Sequence, residues 1–131
     1  MNFMKLTRFW PFLVGTVLIL AAHLLGVWAD LGGHPYWSQS ASVFGLGAGV
    51  LGAALVWRAP AWGVVTILVL LAALAFATSH FAKAEFVGSY AANGFAGRIW
   101  YYGFIGFIGA GFAGFVMFAA TIRAWITANR S

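Results

Sequence analysis

Four long stretches of this sequence are apolar and almost free of charge, which restricts the possible folds more than any other feature. They cover about residues 9–29, 41–57, 61–81 and 99–125, and only Arg123, near one end, is charged. A helix that crosses the hydrocarbon core needs about 20 apolar residues. A helix also satisfies its own backbone hydrogen bonds in lipid, and the stretches lack the alternation of β-barrel strands. The sequence therefore predicts one all-α domain over residues 1–131, a four-helix transmembrane bundle.

Composition favours the same class. Charged residues make up 7% of the chain, whereas they are about 25% of a typical soluble chain. This small amount of polar surface cannot cover a water-facing exterior. The lipid bilayer is therefore an expected partner. The net charge of +5 comes from scattered residues and forms no basic stripe, which argues against nucleic acid. Because the chain has no cysteine, it has neither disulfides nor thiolate-bound metals.

The first apolar stretch resembles a signal peptide because Lys5 and Arg8 precede it. However, the apolar run from Trp10 to Trp28 is longer than the usual core of about 7–15 residues in such a peptide. We therefore expect a retained signal-anchor that forms the first membrane span.

The basic residues predict the orientation of the spans, because short cytoplasmic loops are rich in Lys and Arg. Five of them fall on one side of the predicted membrane, and only Lys83 and Arg98 fall on the other. Both termini are therefore expected in the cytoplasm of a cell, with the chain multi-pass in the inner membrane of a bacterium. The five are Lys5, Arg8, Arg58, Arg123 and Arg130. Six of the seven tryptophans lie at predicted span ends: Trp10, Trp28, Trp57, Trp62, Trp100 and Trp125.

The connections predict two further features. The connection 58–60 on the cytoplasmic side is short. The second and third spans are therefore expected to be antiparallel neighbours. The outer loop 82–98 is longer and only weakly polar, so a short segment lying in the membrane interface is expected there.

Small residues recur at helical spacing in two spans, a pattern that lets helix backbones approach closely in lipid. The small residues are Gly45, Gly49 and Gly52 in the second span, and Gly103, Gly106, Ala110 and Ala113 in the fourth. They are expected to pack helices within this chain or against another protein. The opposite face of the fourth span is aromatic and is expected to meet lipid, core, or a flat pigment or quinone. It comprises Phe104, Phe107, Phe112, Phe115 and Phe118.

The polar residues able to do chemistry all fall in the predicted outer half of the membrane. His23 lies within the first span, where ionisable residues are rare and often functional. A neutral imidazole can bind haem iron or the magnesium of a chlorophyll-type pigment. His80 is a possible second ligand, although its predicted depth differs from that of His23. Asp30, His34 and Glu85 form an expected outer polar layer, and no close histidine spacing supports a zinc or copper site there.

The string AAHLLGVW at residues 21–28 resembles the single-helix antenna polypeptides of purple bacteria. In that family a histidine holds bacteriochlorophyll and a tryptophan follows near the interface, so the resemblance implies pigment binding by His23 beside Trp28. It covers fewer than ten residues, and this chain has four predicted helices instead of one. Ile19 stands where the family usually has a small residue.

Three functions remain open at this point. The first is a non-catalytic accessory subunit that joins other membrane protein subunits in an energy-transducing complex, in photosynthesis or respiratory electron transport. The second is a membrane protein that binds haem or bacteriochlorophyll through His23 and His80. The third is a small transporter or channel formed by oligomerisation, although no charged residue lies near the predicted midplane. No nucleophile and base are spaced as an enzyme requires, so no catalytic activity is expected.

Overall fold

The computed structural model describes residues 8–130, and all the regular structure in that range is helical. The elements are α1 (Trp10–Leu24), α2 (Val27–Asp30), α3 (Ser38–Val56), α4 (Trp62–Gly88) and α5 (Gly94–Asn129). Three of them, α3, α4 and α5, are long and apolar enough to cross a membrane. The prediction of an all-α membrane protein is confirmed at this level.

The first helix is shorter than its apolar stretch. It ends at Leu24 and not at Ala29, because the chain turns at Gly26. Gly26 has a φ of 75°, a left-handed conformation that glycine adopts without steric cost. Its N–H donates to the carbonyl of His23 at 3.1 Å, which closes the helix end. The 15 residues of α1 give a length of about 22 Å, against about 30 Å for a hydrocarbon core.

The outer loop expected over residues 82–98 is mostly helix. α4 continues to Gly88 and α5 begins at Gly94, so only residues 89–93 connect them. Asn93 caps the start of α5, because its side chain accepts a hydrogen bond from the N–H of Ala96 at 3.1 Å. The prediction of a long loop was wrong, because residues 82–88 continue α4 and residues 94–98 begin α5. With 36 residues, α5 is about 54 Å long and extends beyond a hydrocarbon core.

α5 is the central helix of the bundle. α3 and α4 both pack along it on roughly opposite faces and make almost no contact with each other. The expectation that these two helices are neighbours was therefore wrong. Residues 57–61 connect them, and five extended residues reach about 17 Å. That length lets the chain pass from one side of α5 to the other, since packed helices lie about 8–10 Å apart.

The contact between α3 and α5 depends on glycines. A Cβ atom on Gly45 would lie 2.7 Å from the Cβ of Ile108. A Cβ on Gly49 would lie 2.8 Å from the ring of Phe112 and 2.9 Å from the carbonyl oxygen of Gly109. Gly52 is looser, at 3.9 Å from the Cβ of Ala113.

The contact between α4 and α5 uses other small residues. A Cβ on Gly103 would lie 3.0 Å from the Cβ of Ser79, and one on Gly106 would lie 3.4 Å from the Cβ of Ala75. The small residues of the fourth span therefore divide between two neighbours, since Gly103 and Gly106 face α4 while Ala113 faces α3. Ala110 lies half-buried between them in sequence.

The aromatic face of α5 forms much of the core. Phe104 is 1% exposed and Phe112 is 3% exposed, while Phe107 and Phe115 are half-buried. α1 packs on this face through Gly15, where a Cβ would lie 2.7 Å from the ring of Phe112. Only Phe118 is exposed among the five, with its ring 5.8 Å from that of Trp62.

Candidate functional site

The two ends of the bundle differ in chemistry. One end of the bundle, which we call the arginine end, contains the starts of α1 and α4 and the ends of α3 and α5. It carries Arg8, Arg58, Arg123 and Arg130. The opposite end, which we call the aromatic end, carries the loop 31–37 and the connection 89–93. It also holds every histidine and acidic residue of the sequence.

The loop after α1 folds back onto the helices. The indole N–H of Trp28 donates to the carbonyl of Ile19 at 3.1 Å, and the N–H of Gly33 donates to the carbonyl of Trp28 at 2.8 Å. Gly33 is buried, and a Cβ there would lie 2.8 Å from that carbonyl oxygen and 3.1 Å from the ring of Phe104. The loop can therefore approach α5 only with glycine at this position.

Trp100 joins three elements at the aromatic end. It is 5% exposed, and its indole N–H donates to the carbonyl of Gly32 at 2.8 Å. Its own carbonyl accepts a hydrogen bond from the hydroxyl of Ser79 on α4 at 2.8 Å. The ammonium of Lys83 lies 5.6 Å from the centre of its ring, a distance at which a cation–π attraction operates. Trp100 is therefore a packing residue that holds the loop, α4 and α5 together.

Aromatic rings surround Trp100. The ring centres of Trp37, His34 and Phe86 lie 5.3, 5.5 and 5.8 Å from it. Trp37 also contacts Tyr101 at 5.1 Å. Edge-to-face ring pairs at these distances contribute beyond their buried area. We call this group the aromatic cap: His34, Trp37, Phe86, Trp100, Tyr101 and Phe104.

An open cleft of about 380 Å³ lies beside the aromatic cap. Its walls are mainly aromatic, Arg98 supplies a cation, and His34 supplies an imidazole. It is lined by His34, Trp37, Phe86, Gly94, Gly97, Arg98, Trp100, Tyr101 and Tyr102. The cleft therefore offers flat apolar surfaces and one cation, without an acidic residue.

His23 is held by a neighbouring helix. Its Nδ1 lies 3.0 Å from the hydroxyl of Ser38, the first residue of α3. The same hydroxyl lies 3.3 Å from the carbonyl oxygen of Pro35. When it donates to that carbonyl, it accepts from the imidazole Nδ1–H. In the tautomer that carries its proton on Nδ1, Nε2 keeps a lone pair. The imidazole is half-buried.

The structure does not gather the other predicted polar residues into one site. His80 is exposed on α4, with its ring 6.4 Å from that of Phe76, and it belongs to a helix that makes little contact with α1. Asp30 and Glu85 are exposed, while His34 is part of the aromatic cap. Within residues 8–130, no three His, Asp or Glu side chains are grouped as a metal site requires.

Sequence reasoning missed Ser38 and Ser79. Each is buried and bonded to another element, Ser38 to His23 and Ser79 to the backbone of Trp100. Nothing in their local sequence marks these roles, because the partners are 15 and 21 residues away. The one available signal was the short polar run Thr78–His80 near the end of an apolar stretch.

The chain matches no protein-family model, and comparisons with curated proteins and with solved structures give no match either. Its function is therefore argued from its own residues.

Proposed function

We propose that this chain is a non-catalytic accessory subunit of a larger membrane complex, with photosynthetic and respiratory complexes as the hosts that its composition favours. The observation that carries the proposal is the uncovered surface of α4. Of its 27 residues, only four are buried within the chain: Val65, Ala72, Ser79 and Ala82. Large apolar side chains are exposed along the rest, with Leu70 at 61% and Leu74 at 64%. A neighbouring subunit and lipid together cover this face in the proposed assembly.

The internal polar groups also support a structural role. His23 is bonded to Ser38, and the hydroxyl of Ser79 donates to the backbone of Trp100. Thr16 and Ser42 donate to carbonyls of their own helices at 2.7 Å. Each of these side chains has a hydrogen-bond partner within the chain, which suits a helix bundle in lipid.

In this proposal, α1 is the fourth membrane segment and both termini lie in the cytoplasm of a bacterial cell. The supporting argument is the distribution of arginine, since four of the seven basic residues belong to the arginine end. Positive residues in short loops favour the cytoplasmic side. The length of α1 is less than the thickness of the hydrocarbon core. In this proposal, α2 and the loop 31–37 cross the remaining thickness.

A crosslinking experiment tests the subunit role. A photoreactive amino acid replaces Leu70 on the exposed face of α4, and the complex is isolated in mild detergent. We expect one protein partner to be crosslinked reproducibly and to comigrate with the chain in a complex much larger than 14.0 kDa. The matched control places the probe at Tyr36, which is 93% exposed in the loop of the aromatic end. A chain that migrates alone and forms only lipid adducts from Leu70 would contradict the proposal.

A second candidate is the binding of haem or a chlorophyll-type pigment through His23. It is favoured by the bond between His23 Nδ1 and Ser38, because histidines that bind metals are usually oriented by such a bond at the other nitrogen. Nε2 then carries the lone pair that an iron or magnesium centre accepts. The bound group supplies light absorption or electron transfer, and the protein positions it. His80, exposed on another helix, is not required as a second ligand.

Absorption spectroscopy tests this candidate. The purified chain is titrated with haem b and, separately, with bacteriochlorophyll in detergent. We expect His23→Ala to abolish a specific absorption band, and Ser38→Ala to weaken binding by about 10–100-fold, as loss of an orienting partner does at metal sites. His34→Ala is the matched control, because its imidazole belongs to the aromatic cap. Equal binding by the wild type and His23→Ala would exclude His23 as the ligand.

A further inference from the structure

A second cavity, with different chemistry, lies at the arginine end. It has a volume of about 490 Å³ and lies where the start of α1, the end of α3 and the last turns of α5 meet. Trp10 and Trp57 contribute its aromatic walls. The ring of Trp57 is fixed from behind, since it stacks on Phe9 at 6.0 Å and contacts Phe12 at 5.4 Å. The wall is therefore formed by packing within the chain.

Two arginines line this cavity, Arg8 from the residues before α1 and Arg123 from α5. Both are exposed, and within residues 8–130 neither forms an ion pair. The only acidic side chains in the sequence, Asp30 and Glu85, belong to the aromatic end. The positive charge of the cavity is therefore uncompensated by acidic side chains, and a guanidinium pairs best with a phosphate or carboxylate.

The rest of the lining is mostly apolar. Pro11 of α1 lines it together with three alanines of α5, which we call its alanine floor: Ala119, Ala120 and Ala124. Short side chains leave a trough along the helix surface, while longer ones would fill it. Trp10 and Trp57 indicate how deep the cavity lies in the bilayer, because indole rings favour the headgroup region. The cavity thus places positive charge at the headgroup level and an apolar trough beside it.

We propose that this cavity binds an anionic phospholipid. Its phosphate lies between the guanidinium groups of Arg8 and Arg123, and part of an acyl chain lies along the alanine floor. The indole of Trp57 packs against the glycerol and upper acyl region. A free phosphate ion shares the charged part of this site but not the trough. The inference does not depend on whether the chain is a subunit or binds a pigment.

Native mass spectrometry of the full chain tests the proposal, with phosphatidylglycerol and phosphatidylcholine vesicles as the two lipid sources. We expect one phosphatidylglycerol to be retained through detergent exchange and phosphatidylcholine to be lost. Removing both charges with Arg8→Gln and Arg123→Gln should weaken phosphatidylglycerol binding about 30-fold, the effect of two basic residues near a membrane surface. The matched control is Arg58→Gln, which removes an arginine of the same end that does not line the cavity.

Two further measurements distinguish a bound phospholipid from a bound phosphate ion. Ala120→Phe fills the trough without changing charge, so it should weaken lipid binding even if the arginine variants unfold. Inorganic phosphate at millimolar concentration should not displace the lipid. Equal retention of both lipids, an equal loss in Arg58→Gln, unchanged binding in Ala120→Phe, or full displacement by phosphate would each overturn the proposal.

Discussion

Replacing Gly49 with leucine is expected to separate α3 from α5 and to unfold much of the bundle. Even a Cβ at this position would lie 2.8 Å from the ring of Phe112 and 2.9 Å from the carbonyl of Gly109. A ring can rotate, but a helix carbonyl cannot move without shifting the backbone. We therefore expect a loss of about 3 kcal/mol in the free energy of unfolding, the upper part of the range for overpacking. Denaturation in mixed detergent micelles, followed by circular dichroism, measures it.

The control for this prediction lies two residues away on the same helix. Gly47 is exposed, and a Cβ there would meet nothing within 4 Å. Gly47→Leu adds the same side chain, so it should leave stability unchanged or raise it by up to roughly 1 kcal/mol, since glycine is a poor helix former. If both variants lost the same stability, the close contact between α3 and α5 would not be what Gly49 provides.

Truncating Trp100 to alanine is expected to release the loop 31–37 from α4 and α5. The side chain is 5% exposed, contacts three rings of the aromatic cap and donates to the carbonyl of Gly32. Removal of a buried aromatic side chain costs about 3–5 kcal/mol. We expect a lower unfolding midpoint together with new proteolytic cleavage between residues 31 and 37.

Two further variants separate packing from hydrogen bonding at this position. Trp100→Phe keeps most of the ring contacts but leaves the Gly32 carbonyl without its donor, so we expect a smaller loss of about 1–3 kcal/mol. Trp125→Ala removes the same kind of side chain where it is 60% exposed, so its effect should be within about 0.5 kcal/mol. Protection of the loop in Trp100→Ala would show that other contacts hold it.

The sequence predicted the helical class well because lipid imposes a simple requirement on length and polarity. The apolar stretches at 41–57, 61–81 and 99–125 lie within or largely overlap α3, α4 and α5. Their ends were less predictable. The run from Trp10 to Trp28 contains no charged residue, yet the left-handed turn at Gly26 ends α1 at Leu24. Hydropathy indicates whether a segment lies in lipid or in water. It carries no information about the backbone conformation of a single residue such as Gly26.

The candidate site was only partly predictable. His23 stood out because an imidazole within an apolar stretch is rare, but its partner Ser38 could not be found from spacing. The cavity at the arginine end could not be found either, since Arg8 and Arg123 are more than 100 residues apart in sequence. Only packing brings the ends of α1, α3 and α5 together there.

The sequence by itself determined that the chain is helical and suited to lipid, because each stretch must satisfy its own backbone hydrogen bonds. It also placed five of the seven basic residues on the side opposite the acidic residues and histidines. Only the tertiary structure decided which helices touch, because small residues permit close approach without specifying the partner. It placed α5 between α3 and α4, and it buried Trp100 under the folded loop. Both outcomes depend on contacts between residues far apart in sequence, whose geometry no local pattern encodes.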